Sequence, residues 1–276
     1  MSLGDPLILV TGASGPIATR LLERTAGQGI RILAVSAQAP LRSWPHVTWF
    51  EQNLGDGPAD VRAGTLVCLG PLGHALSQVE KMPGIGRVVA MSSAMIDQLK
   101  LLQYPVERTN LRQGEIMERR LQEACSERRV VLTLIRPTLV YQDGPAGTFQ
   151  PMIDCLSGRR WIALGRGGLR QPVHCDDLAQ VILRCLVMGP AAAGQWNLSG
   201  GETLSVAAMV ARVATAHGLP VRRFPVPDAL ARRTLLGMNL PAAVTNDLAG
   251  LYQYDLLPDD TGAREQLGWQ PRGFRP

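Results

Sequence analysis

A glycine-rich turn directly follows the first apolar run of the chain. Leu7–Val10 has the composition of a buried strand, and the turn Thr11-Gly12-Ala13-Ser14-Gly15-Pro16-Ile17-Ala18 leads into an amphipathic helical pattern. In such a turn the first glycine permits a tight bend, and the second lets a ligand approach the backbone closely. The free N–H groups and the dipole at the helix start favour phosphate. The turn therefore predicts a dinucleotide pyrophosphate site made of Gly12, Ser14, Gly15, Pro16 and Ile17.

The end of the second predicted strand, Arg31–Val35, bears on which dinucleotide binds. An acid at this point hydrogen-bonds the ribose 2′-hydroxyl of NAD, whereas an arginine favours the 2′-phosphate of NADP. The chain has Ser36-Ala37-Gln38 here, with Arg42 a few residues further on. We expect Ser36 at the ribose and NAD or NADP as the cofactor, with NADP slightly favoured.

The elements that must position this turn alternate between apolar runs and helical patterns, which is typical of a parallel sheet covered on both faces. We expect an α/β, doubly wound parallel-sheet Rossmann fold with a smaller C-terminal substrate-binding portion. The predicted strands are Leu7–Val10, Arg31–Val35, Val47–Glu51, Thr65–Leu69, Arg87–Met91, Val130–Ile135 and Gly194–Leu198. Further helices are predicted at Leu111–Glu127, Asp177–Val187 and Val206–Gly218.

The long predicted helix Leu111–Glu127 is expected to be amphipathic. Its buried stripe should consist of Ile116, Met117, Leu121 and Ala124, while its arginines and glutamates face water.

After Tyr141 the composition changes, with glycine- and proline-rich loops at Gln142–Gly147 and Gly165–Gly168. We therefore predict an NAD(P)-binding domain of residues 1–143 and 172–198. Residues 144–171 and 199–276 are predicted to form the smaller portion. The crevice between the two is the expected ligand site.

Composition excludes several classes of function. The net charge of +5 comes from basic residues spread along the chain, so no nucleic-acid partner is expected. No apolar run approaches the ~18 residues of a membrane span, and no signal peptide or metal site is expected. The five cysteines show no C-x-x-C spacing, which favours a reducing, cytoplasmic location.

Several motifs in order give the chain a resemblance to the extended short-chain dehydrogenase/reductase family, the NAD-dependent epimerase/dehydratase group. The opening turn is similar to that family's T-G-x-x-G-x-x-G, and Arg136-Pro137 with Tyr141 to its R-P-x-x-x-Y. Further similar stretches are Asn53-Leu54, Leu69-Gly70-Pro71, Met91-Ser92-Ser93, Arg170–Ala179, Asn197–Glu202 and Leu267–Pro271.

The resemblance implies NAD(P)-dependent chemistry on a nucleotide-linked sugar or related small molecule. It implies a diphosphate contact for Arg170, with a surface ion pair as the alternative, and a substrate contact for His174, with a structural role as the alternative. A homodimer is also left open. The further cofactor contacts that it implies are Asn53, Leu54, Leu69, Gly70, Pro71, Met91, Ser92, Pro137 and Leu139.

The family's catalytic pair, Tyr-x-x-x-Lys, is not found in the sequence. The residues four places after Tyr104, Tyr141, Tyr252 and Tyr254 are arginine, proline, leucine and proline. Alignment through Glu118 puts Asn110 and Gly114 at the two positions. Tyr104, near Arg108 and Lys100, and Ser93 remain the candidate catalytic residues, although Pro105 disfavours a continuous helix there.

Two functions are therefore weighed. The first is an epimerase/dehydratase-like oxidoreductase with an altered catalytic pair. The second is a non-catalytic NAD(P)-binding regulator, comparable to the NmrA-like redox sensors. Turnover of a nucleotide sugar would distinguish them.

Overall fold

A seven-stranded parallel sheet forms the centre of the protein. The structure, a computed structural model, describes residues 7–38, 42–53, 63–98, 105–143, 148–157, 161–219, 222–236 and 254–276. The strand order across the sheet is β11-β6-β5-β4-β1-β2-β3. These strands are β1 (Leu7–Thr11), β2 (Arg31–Ser36), β3 (Val47–Glu51), β4 (Thr65–Cys68), β5 (Arg87–Met91), β6 (Val131–Pro137) and β11 (Gly194–Leu198). All seven predicted strands are confirmed to within two residues at each end.

Helices cover both faces of the sheet, which explains the continuous apolar runs of the central strands. Helices α1 (Pro16–Thr25) and α5 (Cys175–Met188) pack on one face, and α2 (Leu72–Lys81) and α3 (Pro105–Glu127) pack on the other. The remaining described helices are α4 (Gln150–Leu156), α6 (Val206–Ala216), α7 (Asp228–Leu236) and α8 (Thr261–Gln266). In the described part of the chain, no helix has the length and apolar character needed to cross a membrane.

Three short strand pairs lie outside the main sheet. They are β7 (Val140–Tyr141) with β10 (Val173–His174), β8 (Trp161–Leu164) with β13 (Arg222–Pro225), and β9 (Leu169–Arg170) with β12 (Leu204–Ser205). Only the last pair is antiparallel among these three. Strands of two to four residues are too short to show periodicity, so the sequence did not predict them.

A separate apolar cluster joins the segments that follow the Rossmann strands. It includes Tyr141, Phe149 and Met152 together with Met209 and Val213 of α6. The division of the chain into two portions stays a prediction.

The expectation for the long helix was wrong in part. Leu121 and Ala124 are buried as predicted, but Ile116 is 48% exposed, whereas Glu118 is only 3% exposed. Glu118 stands three residues before Leu121 and therefore shares its helix face. Glu118 is buried because Arg136 of β6 donates hydrogen bonds to its carboxylate. The helix also begins earlier, at Pro105, since proline fits the first helical turn.

Candidate functional site

The carboxyl ends of β1 and β4 form the centre of the candidate site. From β1 the sheet grows through β2 and β3 on one side and through β4, β5 and β6 on the other. The two halves diverge between β1 and β4, and ligands of doubly wound sheets bind at such a divergence, outside the carboxyl ends of the strands. The glycine turn follows β1 at this point.

Gly12 brings the turn against the end of β4. Its φ is +74°, and a Cβ atom added there would lie 2.9 Å from Gly70 N and 3.0 Å from Leu69 C. The amide of Leu69 also donates to the Thr11 carbonyl at 3.0 Å. Both the bend and the close backbone contact therefore require glycine. The structure thus brings Gly12, Leu69 and Gly70 together.

Gly15 forms the other side of the turn and is the N-cap of α1. Its backbone is extended, with φ −75° and ψ 162°, and no side chain caps the helix. A Cβ atom there would meet only the Gly12 carbonyl oxygen, at 3.5 Å, so the space beside Gly15 is open. Ser14 and Pro16 are exposed next to it. An uncapped helix start that no Cβ shields suits an anionic group.

The end of β2 is buried and internally hydrogen-bonded. The Ser36 hydroxyl donates to the Gln38 carbonyl at 2.5 Å, and Trp49 Nε1 donates to the same carbonyl at 3.1 Å. Asn53 is exposed beyond the end of β3, and Leu54 lies outside the described residues. The Arg42 guanidinium is 3.4 Å from a Glu23 carboxylate oxygen and 6.0 Å from the centroid of the Trp44 ring.

The segment after β5 holds Met91, Ser92 and Ser93. The amide of Ser92 donates to the Ile135 carbonyl at 2.8 Å, which places Ser92 beside the end of β6. The Ser93 hydroxyl accepts from the Met95 amide at 3.2 Å, at the start of a short 3₁₀ helix over Ala94–Gln98. Tyr104 and Lys100 lie outside the described residues.

Arg136 holds this segment to α3, which the sequence did not predict. Its side chain is 8% exposed, its Nε donates to Glu118 at 2.8 Å with Nη2 on the other carboxylate oxygen, and its Nη1 donates to Asp97 at 2.9 Å. Asp97 belongs to the same 3₁₀ helix that follows Ser93. Glu118, Leu121 and Cys125 are spaced so that they share one helix face, and this spacing could have predicted that Glu118 is buried.

The two positions aligned with the missing pair differ in their surroundings. Asn110 is exposed on α3. A Cβ atom on Gly114 would lie 3.4 Å from Ile96 Cδ1, so at this position α3 packs closely against the 3₁₀ helix.

Pro137, which ends β6, is buried, and Leu139 lies half-buried before β7. Between them the Thr138 hydroxyl donates to the Gln171 carbonyl. This contact joins the end of β6 to the loop that precedes β10.

Arg170 is buried beside Tyr254. Its guanidinium donates to the carbonyls of Tyr254 and Leu169, at 2.5 and 2.8 Å, and lies 5.1 Å from the centroid of the Tyr254 ring. Only 3% of Arg170 is exposed, and burial lowers the pKa of its guanidinium against the opposing effects of Tyr254 and Asp255. The surface ion pair considered as an alternative for Arg170 does not fit this burial.

His174 caps α5. Its Nδ1 accepts from the Asp176 amide at 3.2 Å, its Nε2 lies 3.3 Å from Asp143, and its ring contacts that of Tyr141 edge-on. Burial lowers the pKa of His174 and Asp143 opposes this shift; the lowered pKa favours the neutral ring, whose Nδ1 can accept this bond. With 2% exposure, the geometry favours the structural alternative for His174.

Comparison with known proteins gives one match by sequence. No family model matches the chain. The UDP-glucose 4-epimerase of Vibrio cholerae is 28% identical over 159 residues, which cover 56% of this chain and 46% of that protein. The match thus spans about half the length of the relative.

Solved structures match nearly the whole chain. A UDP-glucose 4-epimerase from Thermotoga maritima with UDP-glucose superposes with a TM-score of 0.66 at 18% identity, covering 96% of this chain and 93% of that one. A short-chain dehydrogenase/reductase superfamily protein from Agrobacterium tumefaciens with bound NAD gives 0.70 at 15% identity, covering 97% and 93%. These likenesses confirm the predicted α/β fold.

Proposed function

We propose that this chain is an NAD(P)-binding, epimerase/dehydratase-like oxidoreductase that acts on a nucleotide sugar or a related substrate. The observation that carries the proposal is the glycine turn. Gly12 is packed on the end of β4, and the uncapped start of α1 lies beside the open space at Gly15. The cytoplasmic location and a homodimer are part of the same proposal.

The residues at the turn fit the pyrophosphate of a dinucleotide. The backbone N–H groups at the start of α1 would hold its oxygens, and Gly15 presents no Cβ to block them. A bound nicotinamide supplies hydride exchange with the substrate. Arg42, the only cation that follows β2 within the described residues 31–38 and 42–46, supports a preference for NADP.

Arg170 is the proposed contact for a substrate diphosphate. A planar guanidinium pairs well with phosphate oxygens. The place of Arg170 in the stretch Arg170–Ala179, which resembles the family's motif, supports this contact. His174 is proposed to stabilise the start of α5 by capping it, rather than to contact the substrate directly.

Tyr104 is the proposed acid/base in place of the family's tyrosine, and Ser93 is the proposed substitute for the hydroxyl residue that acts beside it. Asn110 lacks the acidity and Gly114 the charge that this chemistry needs. Ser93 is the second residue after β5, at the carboxyl edge of the sheet where the turn also lies.

The non-catalytic regulator is a second candidate, favoured by a specific observation. The Ser93 hydroxyl accepts from the Met95 amide, which is a structural use of that group. In this alternative the bound cofactor would control a protein contact, and no substrate would be converted.

Gly15→Ala tests the observation that carries the proposal. The backbone at position 15 suits alanine, and the new Cβ would meet only the Gly12 carbonyl, so the protein should fold normally. We expect at least about a tenfold loss of NADH and NADPH affinity in calorimetry, equivalent to about 1.4 kcal/mol, since the methyl group occupies the space proposed for the pyrophosphate.

Gly64→Ala is the matched control, because a Cβ there meets no atom within 4 Å and the residue precedes β4 at the opposite edge of the sheet. Equal affinity in Gly15→Ala and the control would contradict the proposed site.

Turnover separates the two candidate functions. An enzyme should convert a member of a nucleotide-sugar panel or change the nicotinamide absorbance, and Ser93→Ala or Tyr104→Phe should abolish this. Tight cofactor binding without any turnover across the panel would instead support the regulator.

A further inference from the structure

A small polar cleft lies between α5 and the chain segment Leu267–Gln270, outside the proposed cofactor and substrate sites. Its volume is about 130 Å³. The helix contributes Asp177, Gln180, Val181 and Arg184, at spacings that place them on one face. Arg184 is nine residues beyond the start of α5 at Cys175, or roughly 13 Å along the helix axis from the carboxyl edge of the sheet. The cleft is therefore separate from the glycine turn.

Gly268 positions the Arg184 side chain in this cleft. A Cβ atom on Gly268 would lie 2.5 to 2.7 Å from the Nη1, Cζ and Nη2 atoms of Arg184, so the guanidinium lies flat over the glycine. The φ of Gly268 is +61°, which also favours glycine. One face of the guanidinium is covered by the Gly268 backbone. Its N–H bonds lie in the guanidinium plane, so they can still donate at the edges of the group. No hydrogen bond or ion pair within the described ranges of the chain engages them.

The charges around the cleft leave Arg184 uncompensated. Asp177 accepts from the Arg272 side chain at 2.8 Å and from its amide at 2.9 Å, while Asp176 pairs with both Arg24 and Arg272 at 2.7 Å. These two carboxylates and two guanidinium groups cancel in net charge. The cleft therefore has one net positive charge from Arg184.

The other groups that line the cleft suit an anionic ligand. The side-chain amides of Gln180 and Gln270 can donate hydrogen bonds, and both residues are exposed. The Trp269 indole N–H is used inside the protein, where it donates to the Ser199 carbonyl at 2.9 Å. A guanidinium flanked by amide donors is the kind of site that recognises planar or tetrahedral oxyanions.

We propose that this cleft is a second ligand site, which binds a small oxyanion through Arg184, Gln180 and Gln270. The small volume of the cleft suits a phosphate or a short carboxylate. The ligand joins α5 to the C-terminal segment that contains Trp269. Its binding therefore stabilises the attachment of that segment.

Titration calorimetry on the full chain tests the proposal with inorganic phosphate and with succinate, against chloride at equal ionic strength. We expect saturable binding of at least one oxyanion by the wild type. Arg184→Gln should weaken it at least about tenfold, since a charge-assisted pair is lost. Gln180→Ala should weaken it severalfold.

Arg112→Gln is the matched control, because Arg112 is an exposed arginine on α3 for which the described residues provide no ion pair. It should bind like the wild type. Preference for phosphate or for succinate identifies the class of oxyanion. Unchanged affinity in Arg184→Gln would overturn the proposal, as would the absence of saturable binding of either oxyanion by the wild type.

Discussion

Gly12 and Gly27 have almost the same backbone conformation in different surroundings. Their φ values are +74° and +76°. A Cβ atom on Gly27 would meet no atom within 4 Å, whereas on Gly12 it would press against the backbone at Gly70 and Leu69. Comparing alanine substitutions at the two glycines therefore separates the free-energy cost of the left-handed conformation from the cost of a Cβ clash with the backbone.

We predict that Gly12→Ala destabilises the protein by about 3 kcal/mol and that Gly27→Ala costs about 1 kcal/mol. The left-handed conformation accounts for roughly 1 to 2 kcal/mol in each, and the backbone contact at Gly12 adds the rest. Urea unfolding of both variants provides the measurement. Equal losses would show that the turn can move away from β4.

At the scale of secondary structure elements, α3 is attached to the sheet through a buried ion pair. Arg136 of β6 reaches Glu118 of α3, and their side chains are 8% and 4% exposed. Such a pair adds little net stability, because both charges lose their hydration. Removing Glu118 is costly, since the buried Arg136 guanidinium then keeps only Asp97 as its remaining carboxylate partner among the described residues.

We predict that Glu118→Gln destabilises the fold by about 3 kcal/mol. The control is Glu115→Gln on the same helix, where the 3.9 Å pair with Arg119 is exposed and should contribute at most about 0.5 kcal/mol. Chemical denaturation of the two variants measures the difference. A Glu118→Leu, Arg136→Met double variant should lose less stability than Glu118→Gln, and the opposite order would refute this interpretation.

At the scale of the whole molecule, the C-terminal segment joins helix α5 to the apolar cluster that contains Tyr141 and Phe149. Arg272 pairs with Asp176 and Asp177 at the start of α5. Two residues on, Phe274 packs against Tyr141 and Phe149, and the Arg275 amide donates to the Tyr141 hydroxyl at 3.1 Å. Residues 272–275 thus contact both the start of α5 and this apolar cluster.

We predict a pH-dependent contribution of Asp176 to stability. Hydrogen bonds from Arg24 and Arg272 lower the pKa of its carboxyl from 3.8 to about 2. Because the folded pKa is the lower one, the stabilisation is complete above about pH 4 and is lost as the pH falls toward 2. Asp176→Asn should therefore cost about 1 kcal/mol at pH 7, less than the whole shift implies because water screens the pairs.

The measurement is the melting temperature of wild type and Asp176→Asn from pH 7 to pH 2.5, where the gap between them should close below pH 4. Asp154→Asn is the control, since Asp154 is exposed on α4 and no ion pair in the described regions involves it. A gap that stays constant with pH would contradict the prediction.

Periodicity and turn chemistry were sufficient to predict the main sheet, the glycine turn and the flanking helices α1, α3 and α5, whereas α2 was not predicted. A strand covered on both faces is apolar along its length, and a turn that needs positive φ needs glycine, so both leave a local pattern. The position of Gly12 against Gly70 follows from the parallel neighbours β1 and β4.

The side-chain partners depend on tertiary structure, because they join residues that are distant along the chain. Glu118 meets Arg136 across 18 residues and Arg24 meets Asp176 across 152, and neither separation leaves a periodic pattern. The burial of Arg170 under Tyr254, the capping role of His174 and the position of Arg184 over Gly268 are of the same kind. A charged side chain can be buried only where the fold brings a partner to it, so its burial cannot be predicted from the sequence around it.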